Sequence, residues 1–223
     1  MDVQLLKEAF IKFFAGFVIV GLLVFVPAGT LRYPGGLLFM GCLFVPMFVA
    51  GLVMLARNPR LLRSRLDARE EQGDQRTVVA LSGILFMAVF VVAGLSFRFG
   101  WLTVPGSVQH AAAIVFLAAY ALYGEVLREN TYLSRTIEVQ EGQKVIDTGL
   151  YGIVRHPMYA VTTWLFLAMP LMLGSLAAFA IMLLYLPIIV RRIIGEERVL
   201  ARDLPGYEDY LSRVRWRLLP LVW

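Results

Sequence analysis

Cysteine and histidine are nearly missing from this chain, and charge is scarce. Its one cysteine, Cys42, lies inside an apolar run, so no intramolecular disulfide can form and no Cys/His metal spacing exists. Cys42 reads as a small core hydrophobe, and no metal site is expected. Charged residues make up 17% of the chain, against about 25% in an ordinary soluble domain. No glycine-rich dinucleotide signature, internal repeat or low-complexity tract is present, which excludes a Rossmann-type nucleotide domain and a solenoid. What is abundant is apolar: 59% of 223 residues, with a mean hydropathy of +0.73. Apolar residues gathered into long runs are the mark of a multi-pass membrane protein.

The net charge of +5 is placed to orient a membrane protein rather than to bind nucleic acid. Arginines cluster at 57–76 (six, among four acids) and again at 191–217, each cluster next to an apolar run. That is the positive-inside pattern, with some attraction for anionic headgroups. No nucleic-acid motif accompanies it, so no nucleic-acid partner is expected.

Apolar runs at 10–28, 35–56, 78–97 and 108–127 are each long enough to span the hydrocarbon core. Lys7 and Lys12 at the start of the first run point to a cytoplasmic N-terminus. Pro46 reads as a kink within the second span. The basic stretch 57–76 reads as a cytoplasmic connection, with one short helix on the membrane surface. His110 and Glu125 fall near the ends of the fourth span and read as interfacial.

The polar segment 128–156 contains no run that could span. Within it Thr136-Ile137-Glu138-Val139-Gln140 alternates like a strand and Glu141-Gly142-Gln143-Lys144 resembles a turn, so a small hairpin and an irregular lid are both compatible with the sequence. From 158 to 190 the chain is apolar for about 33 residues, too many for one span. Pro170 and Leu173-Gly174-Ser175 are expected to divide it into helices of about 13 and 16 residues, a hairpin whose basic flanks, Arg155 and Arg191-Arg192, face the same side. The tail reads as a charged helix, a turn at Leu204-Pro205-Gly206, a second short helix and an aromatic-basic end in which Trp216 and Trp223 fit an interfacial anchor. The expected fold is therefore all-α: a polytopic membrane bundle of four full spans (1–127) followed by a C-terminal region (128–223) of polar loop, membrane hairpin and tail. Both termini, and a cofactor pocket, are expected on the cytoplasmic side.

The chemistry-bearing residues concentrate in Gly149-Leu150-Tyr151-Gly152-Ile153-Val154-Arg155-His156-Pro157-Met158-Tyr159, where the loop enters the hairpin. Proline is suited to a first helical turn, where its missing N–H is not needed. Arg155 and His156 would then stand beside a helix N-terminus, a place suited to carboxylate or phosphate. At the hairpin's other end Arg192 and Glu196 are four apart on one helix face, with Glu197 turned about 100° away. A hairpin brings these two ends together, so one polar cluster can be built from both.

This constellation resembles the isoprenylcysteine carboxyl methyltransferase and phospholipid methyltransferase superfamily. The resemblance rests on Gly149-Leu150-Tyr151 followed by Val154-Arg155-His156-Pro157-Met158-Tyr159. Arg128-Glu129-Asn130 with Ser134 lies ahead of it. Arg192 with Glu196-Glu197, then Gly206 with Tyr207 and Tyr210, and the ending Val214-Arg215-Trp216-Arg217-Leu218-Leu219-Pro220 follow in order. Leu150 departs from the family's usual proline, and Ala160-Val161 from its usual glycine after the tyrosine. The resemblance implies methyl transfer from S-adenosylmethionine to a lipophilic acceptor, with an isoprenylcysteine-type carboxylate first and phospholipid amines or small thiols as alternatives. By position it implies Tyr151, His156, Pro157, Tyr159 and Glu197 as cofactor-binding, and Arg192 and Glu196 facing the reacting groups. Two other readings are weighed against it: an NADPH-dependent membrane reductase of the steroid 5α-reductase type, and a non-catalytic membrane protein.

Overall fold

The computed structural model describes residues 3–66, 73–130, 132, 139 and 142–223. Four long helices carry the N-terminal part: α1 (Val3–Ala28), α2 (Pro34–Arg57), α4 (Gly73–Phe99) and α5 (Gly106–Glu129), with the short α3 (Pro59–Leu66) after α2. A single 3-10 turn, Gly149–Gly152, leads into α6 (Pro157–Met172), α7 (Leu176–Met182), α8 (Tyr185–Asp203) and α9 (Tyr207–Arg213). Among the described residues no strand occurs, only the isolated bridge between Thr103 and Ser175. Five helices are long and apolar enough to cross a membrane, and α6 is a shorter apolar one. The chain is an all-α, multi-pass membrane protein. Thr136, Ile137, Glu138 and Gln140 of the alternating stretch, Glu141 of the expected turn, and Ser134 lie outside the described residues.

Packing follows the apolar faces. α5 runs along α6, α1 along α4, and α4 against α7. One buried cluster joins residues of all these helices, among them Val24, Phe39, Val89, Phe116, Met172, Met182 and Ile193. Between membrane helices lipid is as apolar as the partner, so close backbone approach and packing decide association. Gly94 supplies such an approach: a Cβ there would stand 2.8 Å from the Val24 carbonyl oxygen and 2.9 Å from the Ala28 nitrogen.

The hairpin turn is tied at the end of the bundle opposite the polar cluster. Ser175 caps α7 by accepting from the Ala178 amide at 3.0 Å, and its hydroxyl donates to Ser96 at 2.8 Å. Leu176 N–H donates to the Leu102 carbonyl at 2.9 Å, and the Tyr33 hydroxyl donates to the Leu173 carbonyl. Leaving such groups unpaired in an apolar setting costs several kcal/mol each, roughly, so these ties fix the turn.

The hairpin differs from the sequence expectation in two respects. Its first arm, α6, has 16 residues and runs through Pro170; the break comes only at Leu173–Ser175. Its second arm continues as α7 and α8 to Asp203, so the charged helix expected in the tail is the end of that arm. Pro187 marks the interruption of this otherwise continuous stretch: Leu183 and Leu184 keep helical dihedrals, and the Leu183 carbonyl, for which residue 187 has no N–H, accepts from Leu186 instead. Pro187 falls in the first turn of α8, where no N–H is required. Arg192, Glu196 and Glu197 therefore stand on the continuation of the hairpin's second arm.

Candidate functional site

Two polar clusters form where the start of α6 meets the last turns of α8. Pro157 opens α6, and His156 stands before it with extended-side backbone (φ −127°, ψ 62°). The Arg155 and His156 amides donate to the Trp216 and Arg217 carbonyls at 2.8 and 2.9 Å. The C-terminal segment is thus laid along the Arg-His-Pro motif like a short strand, and the Arg155 guanidinium adds a bond to the Arg215 carbonyl at 3.0 Å.

The first cluster is centred on Glu197, which is 8% exposed. Its Oε1 lies 3.1 Å from Arg155 and 3.3 Å from His156 Nε2; its Oε2 accepts from Arg217 Nε at 2.8 Å. A carboxylate only accepts, so the hydrogen of this bond stands on Nε2. Glu197 therefore fixes the orientation of the His156 ring.

The second cluster joins Tyr159, Arg192 and Glu196. The buried Tyr159 hydroxyl donates to Glu196 Oε2 at 2.5 Å and accepts from Arg192 Nε at 3.0 Å. The i,i+4 spacing read from the sequence is what lets one tyrosine from the facing helix serve both side chains.

The opposite wall comes from the turn at 149–152 and from α9. Glu129, at the end of α5, accepts from the Leu150 amide with both oxygens, at 3.0 and 3.2 Å. Gly149 has φ +53°, and a Cβ there would overlap the Glu129 carboxylate. The position needs glycine twice over, for its left-handed backbone and for the missing side chain. Gly149→Ala is expected to cost about 1–2 kcal/mol in backbone strain alone, and to release the Leu150 amide from Glu129. A melting temperature in detergent equal to wild type would contradict this. Tyr151 turns back from the 3-10 turn, its hydroxyl bonded to Asn130 and its carbonyl accepting from the Tyr210 hydroxyl at 2.8 Å. Arg213 pairs with Asp147 at 2.8 Å and fastens α9 to the loop.

These walls line a cavity of about 90 Å³ that opens to the surroundings, smaller than the about 300–1,000 Å³ usual for a small-molecule site. Five of the seven candidate residues line it: Tyr151, His156, Tyr159, Arg192 and Glu196. The other two stand behind the wall, Pro157 starting α6 and Glu197 holding His156. Among the described lining residues three are cationic (Lys144, Arg155, Arg192) and one is a carboxylate, Glu196. The sequence assigned no site role to Asn130, Tyr207, Tyr210 or Arg217; only their place in the family-like motifs marked them. Two buried donors at the site, Arg155 Nε and the Tyr207 hydroxyl, have no hydrogen-bond partner among the described residues. Burial, and then the Glu197 and Glu196 carboxylates, push the Tyr207 phenol above the ordinary tyrosine range, so it remains a protonated donor.

Residues 108–204 match the model of the phospholipid methyltransferase family. This stretch holds α5, the turn at 149–152 and the whole hairpin, and so most of the cavity wall. A comparison with curated proteins finds no match.

Proposed function

We propose S-adenosylmethionine-dependent methyl transfer to a lipophilic acceptor; the match of residues 108–204 to the phospholipid methyltransferase family model supports this reading. The observation that carries it is the convergence of Tyr151, His156, Tyr159, Arg192 and Glu196 on one cavity, beside two buried donors with no partner among the described residues. Buried donors are ordinarily paired, so such a pair suits a polar ligand. The residues present fit the cofactor: it offers acceptors for those donors and an apolar-cationic body for the tyrosine-rich wall.

Tyr151, His156 and Tyr159 would hold the cofactor, with Pro157 and Glu197 fixing the frame behind them. When bound, S-adenosylmethionine supplies a methyl group already activated on a sulfonium. The protein's task is then to align a nucleophile and keep water out. Arg192, held by Tyr159, suits a carboxylate acceptor, which it would orient as a charged donor. A carboxylate needs no base, and an isoprenylcysteine-type acid is our first choice of acceptor. The Glu196 carboxylate on the same wall favours a second reading, a phospholipid amine, whose proton Glu196 would take. The predominance of cations on the lining suits both, since a phospholipid carries a phosphate.

The test is labelled-methyl transfer by purified protein to a farnesylated cysteine and to phosphatidylethanolamine vesicles. A carboxylate acceptor is fully ionised above its pKa of about 4, so its rate is expected to be nearly flat from pH 6 to 8. A steep rise with pH on that acceptor would contradict O-methylation. Transfer to the amine alone would move the assignment to the second reading, and transfer to neither would count against a lipophilic acceptor of these classes.

A further inference from the structure

A second cavity, of about 1480 Å³, lies between the first half of α1, the last halves of α2 and α5, and α3, and opens to the surroundings. It exceeds the about 300–1,000 Å³ usual for a small-molecule site. Among the described residues none lines both this groove and the polar cavity, and α6, α8 and α9 contribute none to the groove. Three of its four helices precede residue 108, where the family match begins. Glycines keep it open. Gly16 of α1, Gly51 of α2 and Gly124 of α5 all line it, and a Cβ on any of them would meet nothing within 4 Å. Gly41 and Gly83 are open in the same way but lie off the groove. Glycine inside a helix is costly relative to alanine, and a close backbone approach normally justifies it, as at Gly94. No such approach exists at these three, so the space they leave is available to a ligand from outside the chain. The charges among the described lining residues are Lys12, Arg63 and Glu8, one positive charge in excess. Lys12 donates to Glu8 at 2.6 Å and to the Leu66 carbonyl at 2.7 Å, which ties α1 to the end of α3. An ammonium has three donors, so one remains.

We propose that this groove binds one anionic phospholipid of the bilayer, with its phosphate at Lys12 and Arg63 and an acyl chain along the apolar wall. That wall includes Phe13 and Phe48, in ring contact at 5.4 Å. Bilayer chains are as apolar as the wall, so burying a chain here brings no net hydrophobic gain. Selection must come from the headgroup. An anionic headgroup gains from the excess positive charge at Lys12 and Arg63, whereas a zwitterionic one brings no net charge to it. The acceptor of the proposed reaction is a poorer occupant. Its head must reach Arg192 and Glu196, and neither borders the groove.

The probes are phosphatidylglycerol and phosphatidylcholine with identical acyl chains, added to delipidated, detergent-purified protein. Native mass spectrometry reads the lipid retained per chain, and melting temperature monitors folding. Wild type is expected to retain one phosphatidylglycerol about 5- to 30-fold more tightly than phosphatidylcholine, the range for one or two cations near a headgroup. Arg63→Gln is expected to cut that preference about fivefold, one cation's share. A variant carrying Gly16→Leu, Gly51→Leu and Gly124→Leu fills the groove where nothing obstructs a Cβ. It is expected to melt no lower than wild type, leucine being the better helix former, and to lose the retained lipid. Equal retention of both lipids by wild type overturns the proposal, since the groove then holds ordinary solvating lipid. An unchanged preference in the filled variant also overturns it, by placing the lipid at another basic patch. Displacement of phosphatidylglycerol by a farnesylated cysteine would overturn it too, by giving the groove to the acceptor. The readout is binding alone, so the proposal stands or falls separately from the methyltransferase reading.

Discussion

Glu197→Ala is expected to lower the melting temperature sharply and to abolish measurable cofactor binding, although Glu197 does not line the cavity. Its carboxylate is shared by Arg155, His156 and Arg217. Removing one partner of a buried ion pair costs about 3–5 kcal/mol, because the other charge remains buried without compensation. The lower end applies here, since the Arg217 side chain is 34% exposed and can turn to water. A loss of about 3 kcal/mol corresponds to more than a hundredfold in a binding constant, if the disorder reaches the site. It should reach it: without Glu197 the His156 ring loses its one side-chain hydrogen bond among the described residues, and Arg155 keeps only the Arg215 carbonyl. Glu197→Gln keeps the shape and one acceptor, and should fall between. Arg217→Gln should cost least, about 1 kcal/mol, as befits a partly exposed pair. A Glu197→Ala protein with wild-type melting and wild-type S-adenosylhomocysteine affinity would sink this account of the cluster.

The second large effect separates binding from turnover. Arg192 and Glu196 are bridged by the Tyr159 hydroxyl, but on the proposed mechanism they have different work. With a carboxylate acceptor, Arg192→Gln should reduce kcat by about 10²–10³-fold, the usual cost of a lost charged donor at the reacting groups. Glu196→Gln should then reduce it by less than about 10-fold, since no base is needed. With an amine acceptor the order reverses. In either case S-adenosylhomocysteine affinity should stay within about threefold of wild type, because an interaction used in the transition state lowers kcat without weakening ground-state binding. Parallel loss of kcat and cofactor affinity in both variants would mean that this face of α8 binds the cofactor, and the assignment of Arg192 and Glu196 to the acceptor would be wrong.

The parts of this fold that rest on local rules were legible in the sequence. Long apolar runs placed α2 and α5 to within two residues at each end, while α1 and α4 begin seven and five residues ahead of their runs; Pro157 marked the first residue of α6. Gly206, with φ +82°, ends the turn the sequence marked at 204–206. The i,i+4 step of Arg192 and Glu196 put both on the face that meets Tyr159. What was not legible depends on long-range partners. The pairing of Arg155 and His156 with Trp216 and Arg217 crosses about sixty residues and leaves no periodicity behind. For that reason the sequence could place Glu197 in the site but not behind it, where it serves His156 rather than facing the cavity. Arg155 could be placed beside the helix N-terminus but not recognised as buried, because its burial exists only once the tail is laid across it. Pro187 and Pro170 show a different limit. Whether a proline breaks, kinks or begins a helix depends on where the flanking turns fall: Pro170 leaves α6 unbroken, whereas Pro187 goes with the interruption at Leu183–Leu184.

The most direct test of the central claim is calorimetric binding of S-adenosylhomocysteine to the detergent-purified protein, with NADPH as the competing cofactor and His156→Ala as the control. The account expects saturable binding of S-adenosylhomocysteine, none of NADPH, and loss in the variant at an unchanged helical content. Binding of NADPH by a folded protein that ignores S-adenosylhomocysteine would contradict it, and would assign the same cavity to a membrane reductase.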